Sequence, residues 1–236
     1  MVSCERATSY SAEIRRIING DPNPKGPGYK ESAVSTPVNG TYNGRKQFSY
    51  AGSYGAVPHC KILNQLNSFS FVAAIWPTTP MKGEQVIAAH WDDHNTRGFQ
   101  LCIDESGGLS LVVGNGHKTD SVCTSTSLLE REWYLVGCSY DAKSRKAMVY
   151  QCPMKNYGSE VTAETSKTIR FRRHIAAGMP LTIAAAISRT VKKRKTTTKH
   201  FNGKIDSPRL ANRSLTQAEM QSVSYTHLTL PTILRV

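Results

Sequence analysis

The chain has 236 residues, 39% of them hydrophobic, with 30 Lys and Arg against 17 Asp and Glu for a formal charge of +13. This is enough apolar material for a real core in one β-rich domain, and the composition is not that of a disordered chain. No apolar run is long enough to cross a bilayer, and the first twenty residues, broken by Glu5, Arg6, Glu13, Arg15 and Arg16, hold no apolar leader region, so a cytoplasmic protein is expected.

Residues 1–33 read as a polar N-terminal segment, with room for a short strand around Ile14, Ile17 and Ile18. Its "GDPNPKGPGYKES" loop follows, where Pro22, Pro24 and Pro27 forbid a helix interior or central strand and Gly26 and Gly28 permit positive φ. From residue 34 the expectation is one domain reaching to 221.

Within it, "SFSFVAAIW" (68–76) alternates through Phe69, Phe71, Ala73 and Ile75. "EQVIAAHW" (84–91) follows a Pro/Gly turn. "GFQLCID" (98–104) and "LSLVVG" (109–114) make a hairpin around "ESGG". "EWYLVGCSYD" (132–141) turns at "DAKSR" into "KAMVYQC" (146–152), and "PLTIAAAIS" (180–188) offers a further apolar face. In "FNGKIDSPRL" (201–210), Phe201, Gly203 and Ile205 face one way; Pro208 is expected to end the strand, and "SLTQAEM" to begin a helix. Short period-two strands joined by turns predict an all-β fold, an antiparallel sandwich of two sheets.

The surplus charge gathers in "RTVKKRKTTTKH" (189–200), six basic residues and no acid. Without interleaved aromatics for base stacking it is expected to be a solvated loop, and nucleic-acid binding is disfavoured. The six cysteines form no C-x-x-C pair and are expected as free thiols, Cys102, Cys138 and Cys152 within apolar strands.

The order of these strands, closed by "FNGKIDSPRLANRSLTQAE", resembles the concanavalin A-like (laminin-G, pentraxin-like) jelly roll. The resemblance covers residues 34–221 and implies structural roles for Trp133, in a "W-[HY]-x-V" strand, and for Phe201, Gly203, Ile205 and Asp206 in "F-x-G-x-I-D". A narrower resemblance, carried by "GDPNPKGPGYKES", "GSYGAVP" and "IWPTTPMKGEQVI", is to the N-terminal region of the N,N-dimethylformamidase large subunit family. It implies a hydrolase of small amides whose iron is held by two tyrosines and a glutamate in a domain after the sandwich. The sandwich itself would then be non-catalytic, with no cofactor of its own. Its partners would be the rest of its chain and a small subunit. The alternative implied is a stand-alone carbohydrate- or protein-binding module that takes a glycan.

Residues 222–236 stand apart. Val223 to Thr232 match, residue for residue, one reading frame of a sequencing adapter, so the segment is set aside and the gene is expected to continue beyond Gln221.

For chemistry, no E-x-D-x-x-E carboxylate run of the glycosidases of this fold occurs, and no G-x-S-x-G nucleophile elbow. The polar cluster "HWDDHN" (90–95) is the richest, and its Trp91, Asp92, Asp93 and His94 are the candidate ligand-binding residues. A four-residue His spacing does not converge on a strand, so a polar loop is favoured over a metal centre. Asp92, Asp93 and Asp120 are generic calcium candidates. Trp91 is the candidate sugar platform, and Trp133 the candidate core filler.

Overall fold

A computed structural model of the chain describes residues 2–4, 8–46, 52–155, 162–191 and 194–228. It divides into two compact units, Met1–Ala51 and Gly52–Val236. Residues 34–51, counted with the sandwich on the sequence, fall in the first unit, because their strand pairs with the N-terminus.

In the first unit, β1 (Ser9–Ala12) and β2 (Arg15–Asn19) run out, and β3 (Lys30–Ala33) and β4 (Gly40–Asn43) run back. β1 pairs antiparallel with β4 and β2 with β3, making two consecutive ladders of one two-stranded ribbon. The Pro/Gly segment is its turn. Asn19 Nδ2 donates to the Gly28 carbonyl at 2.8 Å, Asp21 Oδ1 accepts from the Asn23 N–H, and Gly28 has φ 74°.

The second unit is the sandwich. Its elements are β5 (Gly55–Val57), α1 (Lys61–Asn64), β6 (Phe69–Pro77), β7 (Gln85–Asp92), β8 (Arg97–Ile103), β9 (Gly108–Asn115) and β10 (Thr119–Ser127). There follow β11 (Tyr134–Tyr140), β12 (Lys146–Pro153), β13 (Ala163–Thr168), β14 (Leu181–Ile183), β15 (Ala186–Val191), β16 (Arg194–Thr198), β17 (Gly203–Ala211) and α2 (Gln217–Leu228). One sheet has the order β10-β9-β8-β7-β14-β5 and the other β13-β12-β11-β6-β17. Their facing sides bury Phe71, Ile75, Leu101, Val113, Val136 and Val149 among others, and Phe69 stacks on Phe99 at 4.0 Å across the gap. This is the predicted two-sheet antiparallel sandwich.

Three expectations change. The strand at 203 does not stop at Pro208 but continues to Ala211, with a register shift between Asp206 and Arg209 and Ser207 at φ 47°. β17 is an outermost strand, where a residue without an N–H breaks no ladder. The basic run is not a loop: β15 and β16 pair as a hairpin, Ala186 opposite Thr198 and Val191 opposite Arg194, with residues 192 and 193 outside those described. The single strand expected at 180–188 is divided, β14 joining the six-stranded sheet and β15 leaving it, with Ala184 at φ 69° between them.

α2 lies on the outer face of the five-stranded sheet, where Met220 and Leu215 bury against Val72, Leu135, Met148 and Tyr150. It runs on to Leu228, into the segment set aside on the sequence, whose residues 229–236 lie outside those described.

Candidate functional site

The four candidate ligand residues do not converge. Trp91 is the penultimate residue of β7 and is buried, 7% exposed, against Val86, Ala89, Cys102 and Ala186, so it is no exposed platform. Asp92 is buried and engaged. It accepts from Asn95 Nδ2 at 2.7 Å and from Arg97 Nε and NH2 at 3.0 Å, closing the β7–β8 turn. Burial pushes its carboxyl up, but Asn95 and Arg97 together hold it below the usual range. Asp93 and His94 are exposed at the turn tip. Asp120 is bound to Lys167 Nζ at 2.6 Å and to the Arg170 N–H, tying β10 to β13. Among the described residues no three His, Cys, Asp or Glu gather.

The signature residues take structural places. Phe201 is buried in the inter-sheet core and Ile205 packs against it. Gly203 permits close approach, since a Cβ there would lie 2.3 Å from the Trp76 carbonyl oxygen. Asp206 is exposed. Trp133 is half-buried and precedes β11 rather than filling the core.

The site that the sequence did not disclose is a groove of about 760 Å³ on the outer face of the five-stranded sheet, beside the start of α2. Its end wall is the β11–β12 turn. Asp141 accepts from Ser144 N–H at 3.0 Å, and Ser68 Oγ accepts from Ala142 N–H at 2.9 Å. Its long wall is the 212–216 loop, pinned by Ser70, whose hydroxyl donates to the Arg213 carbonyl at 2.8 Å and accepts from Leu215 N–H at 2.7 Å. A capping box fixes the helix start: Glu219 accepts from Thr216 N–H at 2.8 Å, and Thr216 Oγ1 accepts from Glu219 N–H. Arg213 also reaches Glu219, at 2.7 Å, and these bonds hold the Glu219 carboxyl below its usual range. Ser139 and Met148 form the floor. Lys146 stands at one end of β12, and Glu164 faces Tyr150 four register positions away, ~13 Å along the strands. The groove therefore offers two cations, Lys146 and Arg213, two carboxylates, Asp141 and Glu164, and several hydroxyls. No aromatic ring is among the described residues lining it.

A second polar cluster lies inside the sandwich. The Arg173 guanidinium is buried, donates through NH2 to the carbonyls of Leu66 and Asn67, and sits 5.0 Å from the Phe69 ring and 5.6 Å from the Tyr140 ring. Burial pulls its pKa down to about 10. His90, fully buried with Nε2 at 3.2 Å from the Met179 carbonyl, is pushed down to about 4 by burial and then by the Arg173 charge. Nothing in "RFRRHIAAGMP" distinguishes Arg173 from its exposed neighbours Arg170 and Arg172, or signals that it alone turns inward.

The donor set for the iron implied by the resemblance does not fit these tyrosines. Tyr134 and Tyr140 lie in the inter-sheet core, their hydroxyls accepting from Leu129 N–H and Arg173 N–H, while Tyr150 belongs to the outer face and bonds Gln221 at 2.6 Å.

The sequence profile of the Concanavalin A-like lectin/glucanases superfamily matches residues 49–221, and the chain belongs to that superfamily. It is similar to the N,N-dimethylformamidase beta subunit of Paracoccus aminophilus, 32% identical over 232 residues, and to that of Alcaligenes sp, 30% identical over 234 residues. These alignments cover 92% and 93% of this chain but 30% of each relative, so the chain spans about a third of the length of the curated relatives it matches. Among solved structures, the Ruminococcus gnavus IT-sialidase CBM40 superposes with a TM-score of 0.52 at 15% identity, covering 68% of this chain and 84% of that one. That likeness concerns the fold.

Proposed function

We propose that this chain is the non-catalytic leading part of an amide-hydrolase β subunit of the N,N-dimethylformamidase type. One observation carries the reading. Similarity to the two β subunits runs through 92% and 93% of the chain, and so reaches into the N-terminal unit, whereas the superfamily profile accounts for residues 49–221 alone. A free-standing sugar-binding module has no need of the ribbon. The glycan reading is less favoured, since Trp91 is buried and no aromatic ring is among the described residues lining the groove.

In this reading the sandwich holds subunits together or shapes the approach to an iron centre built by residues outside it. The groove, with Lys146 and Glu164 at its two ends, suits a polar peptide segment of the same assembly rather than a reacting amide. Six unpaired cysteines are in keeping with a reducing, cytoplasmic setting.

The test is formate release from N,N-dimethylformamide. The 236-residue chain is expected to release none with or without added iron, while the product of the gene extended past Gln221 releases it. Turnover by the chain alone, or none by the iron-loaded extended product, would overturn the proposal.

A further inference from the structure

The densest charge of the chain takes no part in the function proposed above. Between Ala186 and Thr198 the sequence holds five basic residues, Arg189, Lys192, Lys193, Arg194 and Lys195, and no acid. No Asp or Glu occurs anywhere between Glu164 and Asp206. The backbone holding this charge is laddered, with Thr190 opposite Lys195 and Val191 opposite Arg194. Like charges brought together in this way repel one another, and an anionic partner relieves the cost.

The root of the hairpin is fixed to the six-stranded sheet. Ala186 is buried against Trp91 and Ala89. The Ala184 N–H donates to the Ile87 carbonyl at 2.9 Å, and the Val86 N–H to the Lys199 carbonyl at 2.8 Å. Lys199 Nζ binds Glu84 at 2.7 Å, so this lysine already has its carboxylate. Beyond the root, β15 and β16 ladder with each other and, among the described residues, with no other strand. In an antiparallel pair every second residue of each strand turns its N–H and C=O to the outer edge. β16, "RKTTT", also carries three consecutive threonines, a residue that favours extended backbone.

Charge and backbone together select the partner. Lysines on an edge strand keep most other strands away. A guard of one sign still admits a strand of the opposite sign. A nucleic acid would answer the charge, but it has no amide ladder to offer, and no aromatic side chain stands between Ala186 and Thr198 to stack a base. We propose that β16 is an acceptor edge for an extended acidic segment of a partner protein, which adds a strand along Arg194–Thr198 and sets its carboxylates among the basic residues. This does not depend on the hydrolase reading.

NMR titration of the 236-residue chain tests it. The probe is a peptide of about seven residues that alternates glutamate with threonine, blocked at both ends. At about 0.15 M salt it is expected to bind with a Kd on the order of 100 µM, shifting the Thr196, Thr197 and Thr198 amides. The same peptide N-methylated at alternate amides keeps its charge but cannot ladder, and should bind at least tenfold more weakly. A lysine-for-glutamate peptide should not bind. Arg194→Glu with Lys195→Glu should abolish binding with the sandwich's thermal transition in place, and the milder Arg194→Gln with Lys195→Gln should weaken it about tenfold. No binding of the acidic peptide up to about 1 mM, equal binding of the N-methylated peptide, indifference to both variants, or tighter binding of a DNA duplex at the same amides would overturn the proposal.

Discussion

Met220 rests its sulfur directly over Gly137: a Cβ built on that glycine would lie 2.6 Å from Met220 Sδ and 3.3 Å from the Phe71 carbonyl oxygen. Gly137 is mid-strand in β11, between β6 and β12, where a glycine ordinarily weakens a sheet. Here its missing side chain makes the seat for α2. Gly137→Ala is expected to destabilise the sandwich by about 1–3 kcal/mol through overpacking. Met220→Ala should lose buried contact on its own, and the double variant should cost less than the sum of the two. Urea unfolding of the four proteins measures this, and strict additivity would mean that the helix sits elsewhere.

The buried imidazole of His90 gives the fold an acid weakness. Its pKa is about 4 in the folded chain against about 6.5 unfolded, so between those values the unfolded state binds more protons. Stability attributable to this group should be undiminished above pH 7 and fall by about 3 kcal/mol as pH drops through 6.5 to 4. His90→Gln should flatten that part of the pH profile, seen as a smaller change in urea midpoint between pH 7 and pH 4.5.

Arg173 packs through its aromatic surroundings as much as through its charge. Arg173→Ala is expected to cost about 2–5 kcal/mol, from the cavity and the freed carbonyls of Leu66 and Asn67. Arg173→Met, which refills the volume, should cost less. In either variant the His90 pKa should rise, because a neighbouring cation is gone, though burial keeps it below its ordinary value. Imidazole proton shifts followed by NMR through a pH titration read this.

At the β7–β8 turn, Asp92→Asn should cost about 1 kcal/mol by weakening the bonds to Asn95 and Arg97. Asp93→Asn and His94→Ala, at the exposed tip, should change stability by less than about 0.5 kcal/mol. Thermal melts of the three variants compare them.

The strands that were legible in the sequence are those with one apolar and one polar register: β6, β8, β9, β11 and β12 all alternate because one face meets the opposite sheet. β10, "TDSVCTSTS", and β13, "AETSKT", escaped because they are outermost strands: β10 buries only Val122 and Thr124, and β13 buries none of its residues, so little apolar signal remains. The β15–β16 hairpin was hidden by its lysines, since charge reads as solvent exposure even where the backbone is laddered. Trp91 misled for a related reason. Its sequence neighbours are polar, but on a strand they point the other way, and the indole is covered by Ala186 from a hairpin nearly a hundred residues on. The groove had no local signature at all: Ser68, Asp141, Glu164 and Arg213 line it together only because separate turns and strands end on the same face.

The bend at Ser207–Pro208 has a consequence for how copies behave when crowded. An outermost strand of nine residues is a ready template for an incoming chain, which would read its evenly spaced amides and extend the layer without limit. Midway along, β17 offers a proline ring where a donor would be and a kink where the spacing should continue. A stranger's strand can zip for two or three residues there and then has nothing to grip, so the molecule is guarded against growing into filaments from that side.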